Sequence, residues 1–290
     1  MEFYITATIL GLCLSAMGLG IFMSMKIFNI PDITTDGSYT LGAVVTAVML
    51  VHHSPIYFII PLVMLVGAAS GCITALIHNK FKIDALLAGI LTMTALYSIN
   101  LTILGRSNQP LIDTKNIFTT IQLFQSTEIY NQLFIIITII SIITILLAYI
   151  LKTDFGIAMR ATGNNALMVR ALGIDDNKMK LLGLSIANSL TAFAGFLVTQ
   201  YQGFADINMG IGIVITGLGS VLIADALKGL LKIKSLLGQL ILVVISSIIF
   251  QLVLAVTLSI GVNPNLLKLI TALFVLFIVG ATRLKLLSRS

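Results

Sequence analysis

The sequence predicts an all-α, polytopic membrane protein with about eight to ten transmembrane helices, some of them broken or re-entrant. Three observations carry this. Hydrophobic residues make up 58% of the 290 positions and charged residues 10%, with a mean hydropathy of +1.08, whereas soluble domains carry about 25% charged residues. The run from Leu133 to Leu151 holds no charge, glycine or proline, and about 20 apolar residues suffice to cross the hydrocarbon core as a helix. Between Ser38 and Asn79 there is no Asp, Glu, Lys or Arg. That stretch is too long for one crossing, and "HHSP" at His52 to Pro55 divides it in two.

Taken in order, the spans fall near 5–25, 39–51, 56–77, 85–105, 132–151, 181–201, 211–227, 236–258 and 266–282. The first follows only Glu2 and lacks the basic stretch and small-residue cleavage site of a signal peptide, so it is read as retained. Nine crossings put the termini on opposite faces. Lys and Arg orient them, because cytoplasmic connections hold the excess. One set of connections carries Lys26; Lys80 and Lys82; Lys152, Arg160, Arg170, Lys178 and Lys180; Lys228, Lys232 and Lys234; and Arg283, Lys285 and Arg289. The other set carries Arg106, Lys115 and Lys268. The expected topology is therefore N-terminus outside, C-terminus cytoplasmic, in a single domain of residues 1–290 with a cytoplasmic loop at 152–180 and an outer loop at 106–131. The net charge of +6 reports this asymmetry and gives no footprint for nucleic acid.

Several chemistries lack their residues. No GxxxxGK[ST] loop occurs, so the chain has no such cradle for ATP. His52, His53 and His78 show no metal-ligand spacing with acids or thiols, Cys13 and Cys72 lie within spans without CxxC spacing, and no Ser/His/Asp grouping is visible. The expectation is a chain with no catalytic, cofactor-binding or metal-binding residues of its own.

Polar interruptions point instead to solute passage, since irregular backbone at membrane depth survives only where protein or water satisfies its amides. "NIPDITTDGSYTLGA", 29–43, breaks the chain after the first span and carries Asp32, Asp36 and Ser38. "YQGFADINMGIGIVITGLGS", 201–220, repeats an Asp-Ile pair at Asp206 and adds glycines. The topology sets the two on opposite faces, as an inverted repeat requires. A third stretch places Thr94, Tyr97 and Ser98 on one helix face, with Asn100 read beside them. Packing between spans explains the same polar and small residues, and both readings stay open. Gly11, Ser15 and Gly18, and Gly67, Ala68 and Gly71, form faces small enough for close helix contact, here expected to join two copies of the chain.

"PDITTDGSYTLGA" (31–43), "LLAGILTMTALYSINLTILGR" (86–106), "FGIAMRATGNNALMVRALGI" (155–174) and "QGFADINMGIGIVITGLGSVLI" (202–223) resemble permease subunits of bacterial ABC importers. The resemblance is to the branched-chain amino acid and ribose type family, nearest its tryptophan/tyrosine and uncharacterised amino-acid type members. It implies a second permease copy, two cytoplasmic ATPase subunits that hold ATP and magnesium, and an extracytoplasmic binding protein in a bacterial cell membrane. Nothing in the motifs reads out a substrate side chain.

A permease without an ATP site must receive work by contact. In the loop 152–180, Asn164 or Asn165 can cap a helix, Ala166 to Leu172 can form about two turns, and Gly173 can stop it. The resemblance makes this the coupling helix, with Leu167, Met168, Val169 and Leu172 as its apolar docking face and Arg170 as an exposed charge beside it. The alternative is a short helix on anionic headgroups, which would use Arg160, Arg170, Lys178 and Lys180. The outer loop 106–131, with an apolar run from Ile117 to Phe124, suits a partial surface helix, either a docking place for a binding protein or a packing element. The competing function is an ion-coupled transporter or channel, for which Asp32, Asp36 and Asp206 are the only acids near break points.

Overall fold

The computed structural model describes residues 2–112, 114–120, 128–263 and 266–287, without side-chain detail for 279 and 281–287. The helices are α1 (Glu2–Phe22), α2 (Thr34–Val51), α3 (Ile56–Phe81), α4 (Ala85–Leu104), α5 (Ile117–Thr120), α6 (Glu128–Lys152), α7 (Asp154–Asn164), α8 (Ala166–Ala171), α9 (Asp176–Gln202), α10 (Ile213–Leu231), α11 (Leu236–Ser259) and α12 (Leu267–Leu287). Seven are long and apolar enough to cross a membrane: α1 with its extension to Ile27, α3, α4, α6, α9, α10 and α11. The 18-residue α2 and the shorter apolar part of α12 at Leu267–Ile278 fall at two further expected spans, but neither is among those seven.

The helices start and stop where local chemistry dictates. Side chains of Asp84, Thr153, Asn165, Asp175 and Ser235 accept hydrogen bonds from the free N–H groups that open α4, α7, α8, α9 and α11. Gly105 and Gly203 end α4 and α9 at φ of +69° and +74°, a region nearly closed to residues with a Cβ. The last turn of the first span, Met23–Ile27, widens into a π-turn before the chain breaks.

α1, α2 and α9 form the buried centre, and the rest follows an exchange rule. α9 packs on α2 and α3 as α1 packs on α10 and α11; α2 touches α3 and α4 as α10 touches α11 and α12; α1 and α9 pack on each other. Two four-helix units, α1–α4 and α9–α12, therefore repeat one packing scheme, with α6 set against α1 and α11. The linking loops lie at opposite ends. After α1, the Asn29 side-chain amide donates to the Gly163 carbonyl of α7 (3.1 Å). After α9, Phe204–Asp206 (β2) pairs antiparallel with Asn108–Pro110 (β1), Asn108 opposite Asp206. This is the geometry of an inverted repeat.

The expected all-α class holds, with this two-stranded ladder as an addition whose three-residue strands are too short to show a period in sequence. Three expectations need correcting. α2 begins at Thr34 and not near 39, because Asp32 satisfies the Thr34 amide and lets the polar stretch become helix. The loop 152–180 is itself largely helical, in α7, α8 and the start of α9. The small faces work within the chain: a Cβ on Gly67 or Gly71 would collide with α9 at Ala192 and Leu184, and one on Gly11 or Gly18 would meet α11 at Ile248 and Ser247. They join repeats and are not free for a second copy. In the outer loop, α5 covers Ile117–Thr120, with the Ile117 amide donating to Gln200 (2.7 Å); the rest of the expected apolar run, 121–124, and Asp113 lie outside the described residues, as does Arg289.

Candidate functional site

The two lead-in loops open with the same turn. The Asp32 carboxylate accepts from the Thr34 amide (2.9 Å), and the Asp206 carboxylate accepts from the Asn208 amide (2.7 Å). Each aspartate thus closes a local turn two residues long before a helix starts. Beyond the turn their partners differ. The second Asp32 oxygen accepts from the Asn188 side-chain amide on α9 (2.7 Å), whereas the second Asp206 oxygen accepts from Asn108 of β1 (3.2 Å).

Asn188 is the hub of a buried polar cluster. It is fully enclosed, and its amide also donates to the Leu184 carbonyl (3.0 Å) while its carbonyl accepts from the Ser38 hydroxyl (2.6 Å). Ser38 meets Ser70 of α3 at 2.8 Å, and Thr34 meets Thr74 of α3 at 2.8 Å. The sequence reading singled out Asp32 and Ser38 but missed Asn188, Thr34, Ser70 and Thr74. An Asn in an otherwise apolar span was the available signal, and its partners lie up to 156 residues away.

Asp36, in the first turn of α2, reaches across to the other repeat. Its two oxygens accept from the Gly212 (2.8 Å) and Val214 (2.9 Å) amides at the start of α10. The first turns of the two repeated short helices therefore meet, and one carboxylate fills amides that would otherwise be open at a helix start. Gly210 lies so close to the Asp36 carbonyl and Thr40 that no side chain fits there. A cavity of about 20 Å³ borders this junction, lined by Asp36, Thr40, Tyr97, Asn100 and Gly210 among others. Asn100 donates to the Gly37 carbonyl (3.2 Å), and its own side-chain carbonyl has no partner among the described residues.

Of the remaining residues expected on a pathway, Thr94, Tyr97 and Ser98 are exposed on α4, while Asn100 is buried. The expectation of one neighbouring polar face fails here for a geometric reason. At 100° per residue, two residues separate Asn100 from Ser98 by about 160° around the axis. Asp206 is half-buried and lines a cavity of about 430 Å³ together with the polar Gln202, Asn208, Thr216 and Gln251 and the apolar Leu10, Leu14 and Val198.

The insert that carries α8 takes the local form expected of it, with two corrections. Asn165 is the cap, accepting from the Met168 amide (3.0 Å), while Asn164 ends α7; the helix runs Ala166–Ala171, with Leu172 at its C-cap and Gly173 beyond it at φ +80°. Leu167, Met168 and Leu172 stand out at 75%, 62% and 68% exposure, but Val169 is 1% exposed. Val169 is thus an anchor beneath the helix and leaves the docking face. Nor is Arg170 an unattached surface charge. Its Nε and Nη2 donate to the two oxygens of the enclosed Asp176 carboxylate (2.6 and 2.8 Å), which holds the Arg170 guanidinium above its ordinary pKa. This forked pair joins α8 to the start of α9. Its partner arm α7 is seated under the π-turn, where Gly163 abuts the Ile27 carbonyl.

No group of three or more His, Cys, Asp or Glu side chains that could hold a metal ion occurs among the described residues. The arrangement is that of packed, polar-centred repeats.

Comparison with known proteins agrees. The model of the branched-chain amino acid transport system permease component family matches residues 3–280. A tyrosine transport system permease protein of Clostridioides difficile (strain R20291) is 38% identical over 266 residues, covering 91% of this chain and 86% of that protein. An uncharacterised protein of Rickettsia prowazekii (strain Madrid E) is 34% identical over 282 residues, 96% of each. Among solved structures, an inward-facing metal-chelate type ABC transporter superposes with a TM-score of 0.52 at 14% identity, covering 98% of this chain and 85% of that one, a likeness of fold. With its two inverted four-helix units and its membrane-spanning helices, the chain belongs to the branched-chain amino acid transport system permease family and is the permease subunit of an ABC importer.

Proposed function

We propose that two copies of this chain form the pathway of an importer for an amino acid or related compound. Two cytoplasmic ATPase subunits, holding ATP and magnesium, drive it, and an extracytoplasmic binding protein delivers the solute to the face that carries α5 and the β1–β2 ladder. The amino-acid reading is supported by the tyrosine transport relative. The face with the π-turn, α7, α8 and the α10–α11 connection carries most of the Lys and Arg, which supports a cytoplasmic assignment in a bacterial cell membrane, N-terminus outside and C-terminus inside.

One observation carries the coupling role. α8 is fixed from below by Val169 and laterally by Arg170–Asp176, yet presents Leu167, Met168 and Leu172 to the exterior. A six-residue helix is far too short to persist unsupported, and these contacts make it a rigid knob with an apolar tip. Such a tip fits a groove on an ATPase. Movement then passes through α7 to the π-turn and so to the α2–α10 junction at Asp36, which we place on the pathway. An ion-coupled mechanism would need an acid with free capacity at depth; Asp32 and Asp36 are each engaged on both oxygens by the chain's own donors, which favours external drive.

The test is Leu172→Asp in the complex reconstituted with its ATPase and binding protein. The expected result is a folded permease that still binds the binding protein, loses the ATPase on purification and no longer takes up tyrosine. Normal uptake with retained ATPase would overturn the coupling role, and loss that follows removal of Lys178 and Lys180 charge instead would indicate a headgroup-bound helix.

A further inference from the structure

At the end of the molecule that carries α7, a cavity of about 200 Å³ opens between the foot of the first span, α7, and the α10–α11 connection. Its polar lining is Lys26, Arg160, Asn164, Asp225, Lys228 and Gln239. Three cations thus face one carboxylate. Asp225 is taken by an ion pair with Lys26. Among the described residues, Lys228 finds only a neutral acceptor, the Gln239 side chain at 3.0 Å. The Arg160 Nε is shut off from solvent and has no hydrogen-bond partner among the described residues. A shielded guanidinium N–H without an acceptor is costly, and the cost is removed by an anion in the cavity. The position of Arg160 is not accidental slack, because α7 is clamped one turn further on, where Gly163 abuts the Ile27 carbonyl and accepts from Asn29.

We propose that this cavity binds a phosphate-class anion, held by Arg160 and Lys228 as charges and by the Asn164 amide as a neutral donor. Guanidinium and ammonium groups together suit a tetrahedral oxyanion, the first as a fork and the second as a point charge. The same chemistry is offered by the phosphate of an anionic lipid headgroup and by a soluble phosphate compound. Either ligand would bridge α7 to α10, tying the arm beneath the first repeat to a helix of the second. The binding itself does not depend on the import reading.

The experiment uses the full-length chain. In one arm it is held in phosphatidylcholine nanodiscs with and without phosphatidylglycerol, then released and examined by native mass spectrometry for retained lipid. In the other it is kept in zwitterionic detergent and its thermal midpoint is followed against inorganic phosphate and pyrophosphate. Arg160→Gln and Lys228→Gln are compared with Arg160→Lys, which keeps the charge, and with the exposed Lys234→Gln as control. Wild-type protein is expected to retain phosphatidylglycerol or to be stabilised by phosphate, with each Gln variant about tenfold weaker and the Arg160→Lys variant intermediate. Lipid retention alone identifies a headgroup as the source, and phosphate stabilisation alone identifies a soluble anion. Absence of both in wild-type protein, or an equal loss in Lys234→Gln, overturns the proposal.

Discussion

The loops that lead into α2 and α10 open with the same aspartate turn, yet one is sealed into the core and the other sits at a surface. Asp32 hands its second oxygen to Asn188, which in turn holds Ser38, so the first loop is locked into the α2–α3–α9 contact. Asp206 hands its second oxygen to Asn108, and its loop is fixed by a three-residue strand pair beside a 430 Å³ cavity. An inverted repeat duplicates backbone design; it does not duplicate environment. The first loop is built as a structural pivot, and the second as the border of a cavity.

The largest effect is expected from Asn188→Leu. This nearly isosteric change leaves Asp32 and Ser38 without their central partner inside the protein, and each buried group left unsatisfied costs about 1–3 kcal/mol, more where it is a carboxylate. The yield of monodisperse protein and its thermal midpoint should both fall sharply; an unchanged midpoint would show that the cluster is not a pivot.

Asp36→Ala comes next. It removes acceptors from two α10 amides, at about 1–3 kcal/mol for groups left unsatisfied. Hydrogen exchange should speed up at Gly212 and Val214 and little elsewhere; unaltered exchange there would mean that α10 does not depend on α2 for its cap.

Asp206→Ala should do least to stability. Hydrogen bonds at a half-exposed turn contribute about 0.5–1.5 kcal/mol each at most, so its midpoint should lie well above that of Asn188→Leu. A drop as large as the Asn188 one would erase the distinction between the loops.

What could be read from sequence follows the range over which each signal acts. Spans are legible because hydropathy is a sum over neighbours, and the Asp-Ile pairs marked both lead-in loops because the aspartate turn closes within two residues. The hub at Asn188 was not, since its meaning lies in Asp32 and Ser38, on another helix. Gly67 and Gly71 announced a close approach correctly but named the wrong partner; a small face looks the same whether α9 or a second copy covers it. Val169 illustrates a third limit. A helix of six residues has too few turns for an apolar stripe to declare which side is inward, so an anchor and three exposed residues read as one surface.

Under the proposed drive, the α2–α10 junction opens when the ATPase works. Thr40 is buried and lines that junction, so the direct measurement is Thr40→Cys, in a chain with Cys13→Ala and Cys72→Ala, exposed to a membrane-impermeant thiol reagent in the reconstituted complex. The account predicts slow labelling at rest, a clear rise during ATP hydrolysis, and protection throughout for Ile136→Cys on α6. Equal protection of Thr40→Cys with and without ATP would contradict it.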